Sequence, residues 1–194
     1  MDAALDSFVE RGFAATKLED VARRAGITKG TMYLYFPSKE AVFQAVVRES
    51  IVPVIAEGEA LVAGYQGSAR DLIALMVRRW WETVGESRLS GIPKLVMAEA
   101  SNFPELAKFY HREVVERGRE LFGRAIQLGI DRGEFRTLDV PLAVRLLLAP
   151  LVFVSIWKHS FVRCDPRGFD VRAFVDLHLD TYLRGIAAPS GAAS

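Results

Sequence analysis

The sequence predicts an all-α protein, and three observations carry that prediction. Apolar residues recur at three- and four-residue spacing along most of the chain, as on the buried face of a helix. Gly, Pro, Ser and Asp interrupt those patterns at intervals typical of helix lengths. No segment shows the strict alternation of a half-buried strand. The punctuation is dense at the N-terminus and sparse afterwards. Residues 1–47 therefore form a compact three-helix unit with the start of a fourth helix, and residues 48–186 a larger helical domain. Residues 187–194 are Ala, Gly, Ser and Pro, a composition expected to be disordered.

The first helix puts Ala4, Leu5, Phe8 and Val9 on one face, and Gly12 ends it, with Phe13 covering the end. Thr16 and Glu19 stand at the spacing of a capping box and open the second helix, whose inward residues are Leu18, Val21, Ala22 and Ala25. Gly26 closes it. Thr28 caps a short third helix that runs to about Phe36, where Pro37 stops it. Ser38 opens a fourth, with Val42, Phe43, Val46 and Val47 on its inner face. Beyond residue 50 helices are expected over 69–86, 93–101, 104–132, 140–161 and 169–183, with breaks at 64–68, 87–91, 133–138 and 164–168.

Composition narrows the function classes. The chain has 194 residues, 51% apolar and 25% charged, enough for a sizeable core. Net charge is +1, so nucleic-acid binding has to come from a local patch. Cys164 is the only cysteine, which excludes an intrachain disulfide and a Cys-based zinc site and fits a reducing, cytoplasmic setting. The N-terminus has no basic flank and apolar core of the signal-peptide kind. The most apolar run, 146–157, is short for a bilayer and contains Pro150. His111, His159 and His178 lack paired metal spacing, and no phosphate loop or nucleophile elbow is present. No enzyme, metal or cofactor is expected.

Two short helices joined by a Gly-containing turn and packed on a first helix describe a helix-turn-helix module. Within 17–39 the cations Lys17, Arg23, Arg24, Lys29 and Lys39 face only Glu19 and Asp20, a local excess of three positive charges suited to phosphates. Gly30 costs about 1 kcal/mol of helix propensity relative to Ala, which close approach of the backbone to DNA would justify. Lys39 lies in the first turn of its helix, against the dipole, a position an external anion would explain.

The run Gly26-Ile27-Thr28-Lys29-Gly30-Thr31-Met32-Tyr33-Leu34-Tyr35-Phe36-Pro37-Ser38-Lys39-Glu40, with Phe8, Gly12-Phe13, Thr16 and Val21-Ala22 before it and Phe43 after it, resembles the signature of the TetR family of bacterial repressors. The resemblance covers about residues 1–47. It implies that Lys29, Gly30, Thr31 and Tyr33 face the major groove of an operator and that Thr16, Lys17, Thr28, Tyr35 and Lys39 hold phosphates. The chain has Leu34 where the family often has His. The family also usually carries several residues, often basic, before the position of Met1, and an arm that adds minor-groove or phosphate contacts would be built from such residues.

A module of this size reads few base pairs, so a homodimer is expected. The resemblance implies a four-helix bundle between subunits, built from Leu146, Leu147, Pro150, Leu151 and Val154 on one helix and Phe174, Leu177 and Thr181 on the next; both stripes could instead fill the core of one subunit. A mainly apolar site for a small lipophilic or aromatic effector is expected among Met76, Trp80, Met97, Tyr110, Phe153 and Trp157, with Glu99 and Asn102 as polar groups. The stretch Met97-Ala98-Glu99-Ala100 with Phe103-Pro104-Glu105-Leu106-Ala107 resembles a segment of multidrug-responsive members of the same family. A helical lipid-binding protein with a vestigial reading head is disfavoured by Lys29, Thr31, Tyr35 and Lys39. A DNA-binding dimer without ligand control stays open from the sequence.

Overall fold

The computed structural model describes residues 1–165 and 168–189. The expected break at 164–168 and the expected disorder of 187–194 therefore lie partly outside the described residues. The described part is helical throughout, with no strand: α1 (Asp2–Arg11), α2 (Leu18–Arg24), α3 (Lys29–Tyr35), α4 (Lys39–Ser50), α5 (Val52–Gly64), α6 (Ala69–Trp80), α7 (Gly91–Glu99), α8 (Pro104–Tyr110), α9 (Arg117–Asp131), α10 (Val140–Lys158) and α11 (Val171–Ile186).

The N-terminal unit closes around three phenylalanines. Phe8, Phe13 and Phe43, all buried, hold their ring centroids 5.5 to 5.9 Å apart, and such pairs add about 0.5–1.5 kcal/mol each beyond burial. Gly12 turns the chain at φ +82°, where a side chain would be strained, and so delivers Phe13 back onto α1. Thr28 and Ser38 cap α3 and α4 as expected, accepting from the amides of Thr31 and Ala41. The Thr16–Glu19 capping box is not formed. The Thr16 hydroxyl is buried and donates to the carbonyls of Ser7, at 3.0 Å, and Gly12, at 2.7 Å, so Lys17 becomes the first flanking residue of α2. Ala25 is exposed rather than inward.

The larger part is built on α6, α9 and α10, whose Leu72, Ile73, Val77, Ala125, Ile126, Leu147, Leu151 and Val154 have no accessible surface. Helix α5 is an addition to the sequence expectation. It carries apolar residues on most sides and buries only Ile55, so it shows no amphipathic stripe. Its Gly58 lies so close to α9 that a Cβ would stand 2.6 Å from Leu121. The expected helices 69–86 and 104–132 each contain a π-turn, at Trp81–Gly85 and His111–Glu116. Helix α10 continues through Pro150 for 19 residues, and α11 extends to Ile186. By length and composition α10 could cross a membrane, but Ala143, Val144, Leu147, Leu151 and Val154 bury one of its faces inside the protein. The start of the expected disordered tail is in fact pinned, since Ala187 bridges to Phe135 and the Ala188 amide donates to Glu134.

Candidate nucleic-acid interface

Helix α3 buries only Met32. Lys29, Gly30, Thr31, Tyr33, Leu34 and Tyr35 are all exposed, Leu34 at 79% and Tyr35 at 70%. A soluble helix that offers water two tyrosines and a leucine beside a lysine and a threonine has the mixed character of a surface that meets bases and phosphates. The network at its root is polar. Glu19 of α2 receives the Lys29 ammonium at 2.8 Å and lies 3.4 Å from the Tyr33 hydroxyl, while the ammonium stands 5.7 Å from the Tyr33 ring centre. The hydrogen bond from Lys29 holds the Glu19 carboxyl below its ordinary range, and Glu19 raises Lys29 in turn. Thr28 and Thr31 join hydroxyls at 2.8 Å.

The nine residues expected to meet DNA do not share one environment. Lys17, Thr28, Lys29, Gly30, Thr31, Tyr33 and Tyr35 are exposed on the second and third helices and their flanks. Two are turned to other uses. Thr16 is buried, its hydroxyl spent on two carbonyls, so a phosphate contact from that hydroxyl is ruled out in this conformation. Lys39 donates to the carbonyls of Phe13, at 2.6 Å, and Ala14, at 3.1 Å, with its ammonium 4.6 Å from the Phe13 ring centre and 5.6 Å from that of Phe103. The partner that explains its place against the α4 dipole is thus the chain itself.

The charge excess is also reduced from inside. Arg23 pairs with Asp20, and Arg24 with Asp6 at 2.9 Å and Glu10 at 2.7 Å. Asp6 and Glu10 lie on α1, outside the window over which the sequence shows the excess. Among the described residues, Lys17 and Lys39 are the two cations of the five with no acidic partner, and Lys39 is held by carbonyls instead.

The segment around α7 holds the reading head at two places, the body of α1 and the turn that follows it. Arg88 pairs with Asp6, and Gly91 packs so tightly on Val9 that a Cβ would lie 2.6 Å from its methyl. At the turn the Ala14 amide donates to Glu99 at 3.0 Å, and Phe103 packs edge-on against Phe13 at 4.8 Å. Asn102 donates to the same Glu99 carboxylate at 3.3 Å. Glu99 and Asn102, expected in an effector pocket, thus sit at the junction with the head, a role only their tertiary position discloses.

The other expected effector residues are scattered. Met76 and Tyr110 are buried, and burial pushes the Tyr110 phenol well above its ordinary range. Trp80 is half-buried, tilted against the buried Trp81 at 6.0 Å. Met97 and Phe153 are exposed, at 64% and 56%, so neither lines a closed pocket in the single chain. Trp157 is half-buried, but its indole Nε1 is fully buried with no hydrogen-bond partner among the described residues. Two clefts of about 320 and 310 Å³ lie between α6 and α11, lined by residues such as Arg78, Glu82, Asp176 and Asp180, and none of the eight expected residues borders either.

The expected subunit interface divides in two. Leu147, Leu151 and Val154 are spent in the core of the single chain. Pro150 and Phe174 are half-buried, and Phe174 packs on Phe169 and His178. Leu146 and Leu177 are exposed at 68% and 67%, and Thr181 is exposed as well. Sequence reasoning missed Leu142 and Ala149, which join Leu146 and Phe153 at i, i+4, i+7 and i+11 on one exposed face of α10. That periodicity was readable; which of the two apolar faces of α10 turns inward was not.

Comparison with known proteins agrees with this layout. Residues 1–46 match the bacterial regulatory proteins of the tetR family, and residues 66–164 match the tetracyclin repressor-like C-terminal domain. The HTH-type transcriptional repressor KstR2 of Rhodococcus jostii is 30% identical over 149 residues, 76% of this chain and 72% of that protein. The solved regulator FadR of Bacillus subtilis, in complex with stearoyl-CoA, superposes with a TM-score of 0.78 at 24% identity, over 95% of this chain and 96% of that one. The SmeT–triclosan complex superposes at 0.77 with 26% identity, over 98% and 90%. This chain belongs to the TetR family of bacterial transcriptional regulators, with a helix-turn-helix DNA reader joined to a helical, tetracyclin repressor-like C-terminal domain.

Proposed function

We propose that the chain is a homodimeric repressor of the bacterial cytoplasm, released from a palindromic operator when a small lipophilic or aromatic molecule enters its larger domain. The observation that carries the reading is the exposure of six of the seven residues of α3, with Lys29 and Tyr33 oriented by Glu19. Lys29, Gly30, Thr31 and Tyr33 are assigned to the base edges, and Lys17, Thr28 and Tyr35 to phosphates. The second copy is assigned to the exposed face of Leu142, Leu146, Ala149 and Phe153 on α10 with Leu177 and Thr181 on α11. Such a dimer presents its two α3 helices at the spacing of successive major grooves, about 34–36 Å or a multiple.

The effector site is assigned to the aromatic surroundings of Trp157, which has Phe161 at 5.0 Å and Phe153 at 5.9 Å. Its buried, unpartnered indole N–H lacks an acceptor, at a cost of about 1–3 kcal/mol that a ligand acceptor would offset. A relative at 26% identity that holds triclosan supports an aromatic effector. Since the α7 segment grips α1 at Asp6 and the following turn at Phe13 and Ala14, displacement of α7 would carry the head with it and change the spacing of the two α3 helices. A useful switch requires the effector to prefer the released state by about 1–3 kcal/mol.

Selection of operators from random DNA, followed by a salt titration, tests the reading. A palindromic site bound by a dimer, with affinity falling steeply with salt, is the expected outcome. A library that enriches no sequence would remove it.

A further inference from the structure

An acid on a DNA-reading face repels the phosphates that the face must approach, so its presence there calls for a compensating use. Helix α3 contains no acid of its own, and Asp20 is engaged by Arg11 and Arg23. Glu19 is different: its carboxylate leans from α2 onto the exposed side of α3, 2.8 Å from the Lys29 ammonium and 3.4 Å from the Tyr33 hydroxyl. Lys29 in turn stands over the Tyr33 ring, with 5.7 Å between ammonium and ring centre. Neither side chain is held by burial, since 64% of the Lys29 side chain and 42% of the Glu19 side chain are accessible.

We infer that Glu19 is a specificity-determining positioning residue: it fixes Lys29 and Tyr33 so that the ammonium addresses a base edge instead of sweeping between phosphates. The inference rests on the DNA-reading assignment above. The physical basis lies in the nature of lysine. Its ammonium is a point charge on a flexible stem with three donors, and left alone it follows the strongest negative potential, which on duplex DNA is the backbone. One donor committed to Glu19 leaves the other two directed, and a directed pair of donors matches the O6 and N7 acceptors of guanine. The carboxylate thus lowers attraction to DNA of any sequence while raising discrimination among sequences. A purely structural ion pair would lower that attraction equally but leave the base preference unchanged.

The test compares the full-length chain with Glu19→Gln, Glu19→Asp, Lys29→Ala and the Glu19→Gln/Lys29→Ala double variant, by operator selection, affinity for unrelated DNA at several salt concentrations, and thermal melting. Glu19→Gln and Lys29→Ala are expected to flatten the same half-site position, by about tenfold in base preference. The double variant should flatten it no further. Glu19→Gln should also bind unrelated DNA more tightly, with a steeper salt dependence. Glu19→Asp, too short to reach Lys29, should lose the preference without that gain, which separates reach from charge and serves as the second variant should the glutamine protein melt early. Retention of the wild-type preference in both Glu19 variants overturns the inference. So does a loss at a position different from that lost in Lys29→Ala, because Glu19 would then touch a base itself. A wild-type chain that selects no sequence defeats the DNA-reading assignment instead, a distinguishable failure.

Discussion

Helices α3 and α10 both leave large apolar side chains in water, but in different company. In α3 the exposed Tyr33, Leu34 and Tyr35 share the surface with Lys29 and Thr31, and Glu19 holds Lys29 and Tyr33. In α10 the exposed Leu142, Leu146, Ala149 and Phe153 follow one another at helical spacing along a single stripe, which Leu177 and Thr181 extend on α11. Donors, charge and rings mixed at this density suit a polar, charged ligand such as duplex DNA. An uninterrupted apolar stripe suits another protein surface, where the same stripe can meet itself across a twofold axis. Exposure by itself does not name a partner; the polar residues between the apolar ones do.

Charge placed in the α10 stripe has the largest expected effect. Leu146→Asp with Leu177→Asp is expected to yield a folded monomer, because both leucines are about two-thirds exposed in the single chain. Operator affinity should fall by about a hundredfold or more, since linked half-site binding is worth factors of about 10²–10⁴. Sedimentation and operator titration measure the two effects. A variant that stays dimeric with unchanged affinity would show that the subunits meet elsewhere.

The two regions also differ in how much of them the sequence discloses. The head was legible nearly residue by residue, because its caps, turns and core lie within a few positions of one another: Thr28 on Thr31, Ser38 on Ala41, Gly12 delivering Phe13. The misassignments there arise from contacts across longer spans. Lys39 reaches back 26 residues to Phe13, Thr16 turns in on Ser7, and Arg24 is claimed by acids of α1. In the larger domain the helices were legible and their faces were not. Helix α10 is apolar on all sides, so periodicity could not say that Leu147 and Leu151 turn inward while Leu146 turns out. Glu99 became a junction residue through a contact 85 positions away, which no local pattern announces.

Within the head, Lys39 and Tyr35 stand in different surroundings although the resemblance implies a phosphate contact for both. Lys39→Ala is expected to lower unfolding stability by about 1–3 kcal/mol, through loss of charged hydrogen bonds to two carbonyls. Tyr35→Ala should leave the melting temperature unchanged, because the side chain is exposed and packs little, while weakening operator binding about tenfold. Thermal denaturation and operator titration on the same preparations separate the two. A Lys39→Ala protein that melts like wild type but has a shallower salt slope would return Lys39 to the phosphate group.

The smallest effect concerns the joint between the two regions. His159, at the end of α10, shares a 2.8 Å hydrogen bond with the buried Ser90, whose segment carries Arg88 onto Asp6 of α1. Burial lowers the affinity of this imidazole for a proton, and the nearby charges of Lys158 and Lys94 lower it further. The unfolded chain therefore takes up the proton first, near pH 6.5 where histidine ordinarily titrates, at about its free value. Stability is then complete above that pH and is lost as the pH falls toward the lower folded value. The melting temperature of the wild type should drop between pH 7.5 and 5.5 by more than that of His159→Gln, which keeps a hydrogen-bonding group for Ser90 and cannot titrate. Dimerisation through the α10 stripe, which contains no histidine, should not follow this difference. Equal pH dependence in the two proteins would show that the joint is insensitive to this proton, and would shift the search for the acid-labile contact to the carboxylates that hold α1.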